Sequence, residues 1–290
     1  MTIPPFSVPH TWASQSVQDS LTAANPTLNV TVNPANLVPT NAADLDGAQI
    51  VRWDQFNIDS LRQAYGDILD RYPVPTVIGH HGPHAVNGLR RFKQVFMDNL
   101  FPRLAHPIQT GATVLGPALE LRFRMSRSRR IQSWTGLADL GYLSSLMTEP
   151  IFSSHYLEDL AFLPLRRVAT YCLATDTRYG FVLTPGEVVV VRVSGTAYDY
   201  GQPCRIEWQA VPWGASGPDT LTVSLSLWFV AMMSLNPTHH RLLPPGAAPP
   251  LNLWLRYQDP AGVAAYKHHL SLRQAFCLPA GAPVDDAPPT

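Results

Sequence analysis

Three histidines, His80, His81 and His84, crowd the stretch "VIGHHGPHAVNG". Imidazoles about three residues apart can converge on one metal ion. No cysteine or paired carboxylate flanks them, and glycine and proline interrupt the segment, so it reads as a surface loop. The pairs His239-His240 and His268-His269 diverge on any regular element and are weaker candidates still. Cys172, Cys204 and Cys277 are widely spaced and odd in number, which suggests neither a zinc ribbon nor a disulfide framework. Phosphate-binding GxxxxGK[ST], HExxH, GxSxG and GxGxxG patterns do not occur. The basic run Arg127, Arg129 and Arg130 suits phosphate contact, or equally a solvated loop.

Bulk composition narrows the classes further. Of 290 residues, 46% are apolar, enough for a sizeable core, and 14% are charged, against roughly 25% in ordinary globular chains. Lys+Arg and Asp+Glu are both 21, so no net charge draws the chain to nucleic acid or membrane. Lysine occurs only at Lys93 and Lys267. The start "MTIPPFSVPHTW" lacks the basic and apolar regions of a secretory signal. The run from Leu225 to Leu235 is about half the length of a membrane span. The expectation is a soluble intracellular protein, in cytoplasm or nucleus.

The elements that must position any site follow from periodicity. Residues 1–48 are rich in Pro, Asn, Thr, Ser and Ala without sustained pattern, and predict a disordered arm. In "NIDSLRQAYGDILDRY", Ile58, Leu61, Tyr65, Ile68, Leu69 and Tyr72 share one helical face. A second helix is expected from Val86 to Leu100, with Leu89, Phe92, Val95, Phe96 and Leu100 inward. Residues 112–125 alternate as one or two strands. A helix pattern spans His155 to Asp176, and Pro164 favours a start near itself. "YGFVLT" and "EVVVVRV", parted by Pro185 and Gly186, form a hairpin. "RIEWQAVPW" adds a strand, and "TLTVSLSLWFVAMM" reads as a buried helix. "GVAAYKHHLSLRQAF" predicts a final helix, and residues 276–290 a disordered tail.

"PLRRVATYCLATDTRYGFVLTPGEVVVVRV", with "IEWQAVPW" and "LTVSLSLWFVAMM", resembles the C-terminal half of the fungal PD-(D/E)XK nuclease-like proteins. The resemblance covers about residues 160–235. It implies a mixed central sheet flanked by helices, restriction-endonuclease-like, in an α/β (α+β) domain over residues 49–275. The family commonly carries a glutamine four residues before a tyrosine on the helix preceding the hairpin. Here the tyrosine is Tyr171 and the earlier position is Arg167, so Arg167 would meet a DNA phosphate while Tyr171 braces the helix. Family members hold Mg²⁺ with an Asp on one strand and Glu-x-Lys on the next. The nearest counterpart is Glu120-Leu121-Arg122, and its arginine stays protonated, a poor general base. Between residues 94 and 266 there is no lysine. Asp139, Glu149, Glu158 and Asp159 are spare carboxylates with surface or helix-start positions as their simplest use.

Two functions are therefore expected. One is a degenerate nuclease-like protein, binding DNA and using Mg²⁺ through Glu120 if catalysis survives. The other is a non-catalytic scaffold for a protein partner, for which Trp208 and Trp213 would be interface residues if exposed.

Overall fold

The apolar strand "EVVVVRVS" is buried along its whole length because both of its faces are covered. The computed structural model describes residues 13–31, 48–77, 82–116, 155–197, 199, 203–236 and 238–286. In chain order these form β1 (Ser14–Ser16), α1 (Val17–Thr22), β2 (Leu28–Val30), β3 (Gln49–Arg52), α2 (Ile58–Arg71), β4 (Pro73–Pro75) and β5 (His84–Val86). Next come α3 (Leu89–Val95), a π-helical turn (Phe96–Leu100), α4 (Phe101–Leu115), α5 (His155–Thr175) and the hairpin β6 (Tyr179–Leu183) and β7 (Glu187–Ser194). The chain closes with β8 (Arg205–Pro212), α6 (Val223–Leu235), β9 (Trp254–Gln258), β10 (Ala264–His268), β11 (Gln274–Ala275) and β12 (Val284–Asp286).

The central sheet has the order β3-β8-β7-β6 and is mixed: β3 runs parallel to β8, while the other pairs are antiparallel. Successive side chains of a strand face opposite sides. Val189, Val191 and Val193 therefore meet Leu165, Val168, Ala169, Cys172 and Leu173 of α5. Val188 and Val190 join the larger core built by α1, α2, α4 and α6. Helices thus cover both faces of a mixed sheet, as expected. A second four-stranded sheet, β11-β10-β9-β12, follows at the C-terminal side.

Local signals explain most boundaries. Asn57 caps α2 by accepting from Ser60 N–H at 2.9 Å, and Leu61, Tyr65, Ile68 and Leu69 are buried as their spacing predicts. Tyr72 instead stands exposed, because the helix stops at Arg71 and Tyr72 is extended. The helix α6 has no polar face, and even Ser224 and Ser226 are buried; it lies inside the core. Helix α5 runs through Pro164 rather than starting near it. It ends with Asp176 in the left-handed region (φ 51°) and Thr177 N–H donating to the Cys172 carbonyl at 3.0 Å. This is a Schellman closure with aspartate where glycine is usual.

Five expectations need correction. The N-terminal segment is no free arm where it is described: Val17 and Leu21 are fully buried, and Ser16 and Asp19 make a capping box. Its polar groups find distant partners. Trp213 Nε1 donates to the Pro26 carbonyl at 2.8 Å, and Thr222 Oγ1 donates to the Leu21 carbonyl at 2.6 Å. Residues 112–115 are the last turn of α4, not strand, and positions from 117 to 125 lie outside the described residues. The expected final helix is strand β10, a tight turn and β11, since Tyr266 and Lys267 pair with Ala275 and Gln274. In the tail, β12 pairs in parallel with β9. Val86 also belongs to β5 rather than to the following helix.

Prolines shape the long helical run. At the π turn Phe101 N–H reaches the Phe96 carbonyl, just ahead of Pro102. Pro107 leaves the Arg103 carbonyl without its helical donor, and Ser20 Oγ supplies one at 3.4 Å. The Arg103 side chain donates to the Ala24 carbonyl at 2.7 Å, just beyond the end of α1.

Two glycines separate packing from propensity. A Cβ at Gly180 would overlap Val168 Cγ1 of α5 and lie 3.5 Å from Cys172 Sγ, whereas one at Gly66 in α2 meets nothing within 4 Å. Gly180→Ala is expected to lose about 1–3 kcal/mol through overpacking. Gly66→Ala should gain about 0.5–1 kcal/mol from helix propensity. Urea midpoints of the two variants check this, and a stabilised Gly180→Ala would refute the close contact.

Candidate functional site

Arg167 and Tyr171 lie one turn apart on α5, but their exposures are the reverse of the roles expected. Arg167 is 7% exposed, and Tyr171 is only half-buried. A guanidinium in that position does not offer itself to a phosphate without rearrangement. Glu120 lies outside the described residues, as do His80, His81, Arg127, Arg129, Arg130, Asp139 and Glu149. Glu158 and Asp159 fall on the first turns of α5. Trp208 and Trp213 are buried, which removes them as interface residues.

Titratable side chains do converge elsewhere, at the junction of the central and C-terminal sheets. Strand register starts the cluster. Tyr179, Arg192 and Glu207 are directly paired across β6, β7 and β8, so they share one face. Arg192 Nε donates to Glu207 Oε2 at 2.6 Å, and both side chains are buried. Arg205 Nη2 approaches the other oxygen, Oε1, at 3.6 Å. The Arg192 guanidinium sits 4.8 Å from the Trp53 ring centroid and donates through Nη1 to the Pro249 carbonyl at 3.2 Å. Trp53 in turn stacks nearly parallel on Tyr179, with centroids 6.2 Å apart. Burial pushes the Tyr179 phenol up from its ordinary value, with Arg178 and Arg192 opposing, so it stays neutral.

From Arg178 the cluster continues into histidines. Arg178 Nε donates to the Arg241 carbonyl at 2.8 Å, and its Nη1 lies 3.2 Å from His239 Nδ1. A guanidinium only donates, so His239 Nδ1 accepts and its Nε2 carries the hydrogen. His239 Nε2 then donates to His269 Nδ1 at 3.2 Å, and His269 Nε2 donates to the Leu251 carbonyl at 3.2 Å. His268 Nδ1 accepts from Leu270 N–H at 3.2 Å, while its ring meets Trp254 edge-on. Burial, then the Arg178 charge, lowers His239 to about 4. Burial, reinforced by neighbouring basic groups, lowers His268 and His269 to about 3. All three imidazoles are neutral at pH 7.

The largely buried cluster fastens the loop after α6 and the C-terminal sheet to the central sheet. Asn236 Nδ2 adds bonds to the His269 and Leu270 carbonyls at 3.0 and 2.8 Å, and Leu251 N–H donates to Gln55 at 3.3 Å. Mg²⁺ does not fit at Glu207. The carboxylate at the centre of the sheet, Glu207, has an arginine at each oxygen, and a divalent cation there would meet two fixed positive charges. Among the described residues no group of three His, Cys, Asp or Glu side chains can hold a metal.

The histidine cluster escapes sequence reading because His239 and His269 are 30 residues apart, and each looks like half of a diverging pair. The ion pair had a signal: an arginine inside an apolar strand needs a buried partner, and Glu207 lies on the strand that follows. Comparison with known proteins finds no family model, no curated protein and no solved structure that matches the chain. Among the described residues no helix is long and apolar enough to cross a membrane.

The buried pair has a diagnostic response to mutation. Arg192→Ala should cost about 3–5 kcal/mol, because buried Glu207 then keeps only the partly exposed Arg205, 3.6 Å from its other oxygen. The double variant Arg192→Met, Glu207→Leu should recover most of that loss. Urea unfolding of the single and double variants checks the pair; equal losses in both would mean that packing, not charge, sets the cost.

Proposed function

We propose that the chain is a catalytically silent scaffold on a PD-(D/E)XK nuclease-like frame, and that it works by binding a protein partner. The observation that carries the reading is the state of Glu207. Metal-dependent phosphodiester hydrolysis needs strand-borne carboxylates free to hold a cation beside the scissile phosphate. Of the two buried carboxylates on the central sheet, Glu187 and Glu207, the latter is neutralised by Arg192 and Arg205 and packed beside Trp53. The mixed sheet with helices on both faces is compatible with a restriction-endonuclease-like frame.

A protein partner is favoured over DNA on two grounds. Nonspecific DNA affinity grows with the number of lysine and arginine contacts to phosphate. This chain balances 21 basic against 21 acidic residues, and Arg167 is buried. Exposed apolar side chains, in contrast, gather on the C-terminal sheet and its turns: Phe276 is 74% exposed, and Val263, Leu272 and Val284 are also exposed.

The test has two arms. Linear, nicked and single-stranded DNA incubated with the protein in Mg²⁺ or Mn²⁺ should remain intact; metal-dependent cleavage abolished by Glu120→Ala overturns the silent reading. A partner captured from the native host should bind the purified chain directly, and Phe276→Ser with Leu272→Ser should weaken that complex roughly tenfold or more. Retained affinity in the double variant overturns this surface, and DNA binding whose salt dependence falls in Arg167→Ala overturns the choice of partner.

A further inference from the structure

The bonds that join the C-terminal sheet to the central sheet include one chain with a fixed direction. It starts at Arg178, which can only donate, and ends at the Leu251 carbonyl, which can only accept. Between them His239 and His269 must each accept once and donate once. Neutral imidazoles satisfy this in one tautomer only. We propose that the Arg178–His239–His269–Leu251 chain is an acid-sensitive latch, closed while both imidazoles are neutral and opened when either takes a proton, so that the C-terminal sheet loosens from the central one.

The geometry makes the closed form intolerant of one added proton. On His239 Nδ1 the new N–H would face the Arg178 guanidinium 3.2 Å away. On His269 Nδ1 it would face the His239 Nε2 hydrogen, and flipping the His239 tautomer only moves the conflict to Arg178. The surroundings supply little relief. Arg178 faces the pair from the start of β6, with the neutral Tyr179 beside it; His268 comes from the end of β10 and Arg273 from beyond the following turn. The nearby carboxylates are committed: Asp67 of α2 pairs with Arg273 at 2.9 Å, Asp176 lies 3.6 Å from Arg241, and Glu207 holds Arg192, which reaches the same loop at Pro249. His240 Nδ1 is turned toward the Asn236 carbonyl at 3.4 Å, away from the chain.

Linkage gives the sign. His239 and His269 are lowered in the closed form, to about 4 and about 3, against an ordinary value near 6.5 once released. Between those values the open form binds more protons. The closed form's advantage is therefore complete above about pH 6.5 and declines as pH falls toward 4.

Hydrogen exchange on the full chain at pH 7.5 and pH 5.0, corrected for intrinsic rates, reads the latch. Amides of β9 and β10 should lose roughly tenfold or more of their protection at pH 5.0, while β7 and β8 keep theirs. The variant His239→Gln, His269→Gln removes both latch imidazoles and should show a clearly smaller difference between the two pH values, the remainder coming from His268, which burial also holds near 3. Equal loss in both sheets, or the same pH-dependent loss in the variant, overturns the proposal. If the variant does not fold, imidazole ¹⁵N spectra of the parent decide. Both rings should be neutral with hydrogen on Nε2 at pH 6, and a charged ring or an Nδ1 hydrogen there overturns it.

Discussion

An arginine buried in a strand that is covered on both sides sets the terms for much of this molecule. Arg192 interrupts the valine run of β7, and the desolvation of its charge must be met inside the fold. Glu207 meets it from the neighbouring strand, the Pro249 carbonyl from the loop beyond α6, and the face of Trp53 from the segment after β3. A slip of β7 against β8 by one residue would turn Arg192 to the opposite face and end all three contacts. The ion pair therefore specifies register while the valines supply the burial.

The same economy governs the chain's outer parts. Low charge and abundant proline leave many backbone carbonyls without helical or sheet donors, and side chains far away in sequence supply them. Ser20 serves the carbonyl freed by Pro107, Trp228 Nε1 donates to the Pro107 carbonyl itself at 2.8 Å, and Asn25 Nδ2 donates to the Trp213 carbonyl at 2.8 Å. Buried polar groups need such partners, since each one left alone costs free energy comparable to a lost hydrogen bond. The N-terminal segment is thereby stitched into the larger core rather than merely laid over it.

The histidine chain and the arginine pair lie side by side but differ in kind. Arg192 and Glu207 are opposite charges, and their closeness is an attraction with a partner on each side. Arg178 has neutral imidazoles as its neighbours, so its contact with His239 survives only while that ring stays uncharged. One junction is thus held by charge and the other by its absence. The histidine chain lies between the two sheets rather than within either, which is why the proposed latch acts on a whole layer.

What the sequence alone determined lies where one short period dominates. The helix α2, the hairpin β6–β7, the strand β8 and the buried helix α6 were legible because their apolar residues repeat at 3.6, at 2, or without interruption over a whole element. The mixed sheet with helices on it was what their pattern and the family resemblance together implied. The C-terminal sheet was not legible: "AAYKHHLSLRQA" has the composition of a helix, and only pairing with β9 and the turn from His268 to Arg273 makes it two strands. The N-terminal segment carries too few apolar residues to announce itself, and its order comes from hydrogen bonds to groups up to 201 residues away. Of the site, Arg192 and Glu207 were visible as types but not as a pair. His239 and His269 looked like half-pairs pointing apart, and their meeting is wholly tertiary. Local periodicity can encode which face of an element is apolar; which two distant polar groups must satisfy each other is decided only when the layers close and water is excluded between them.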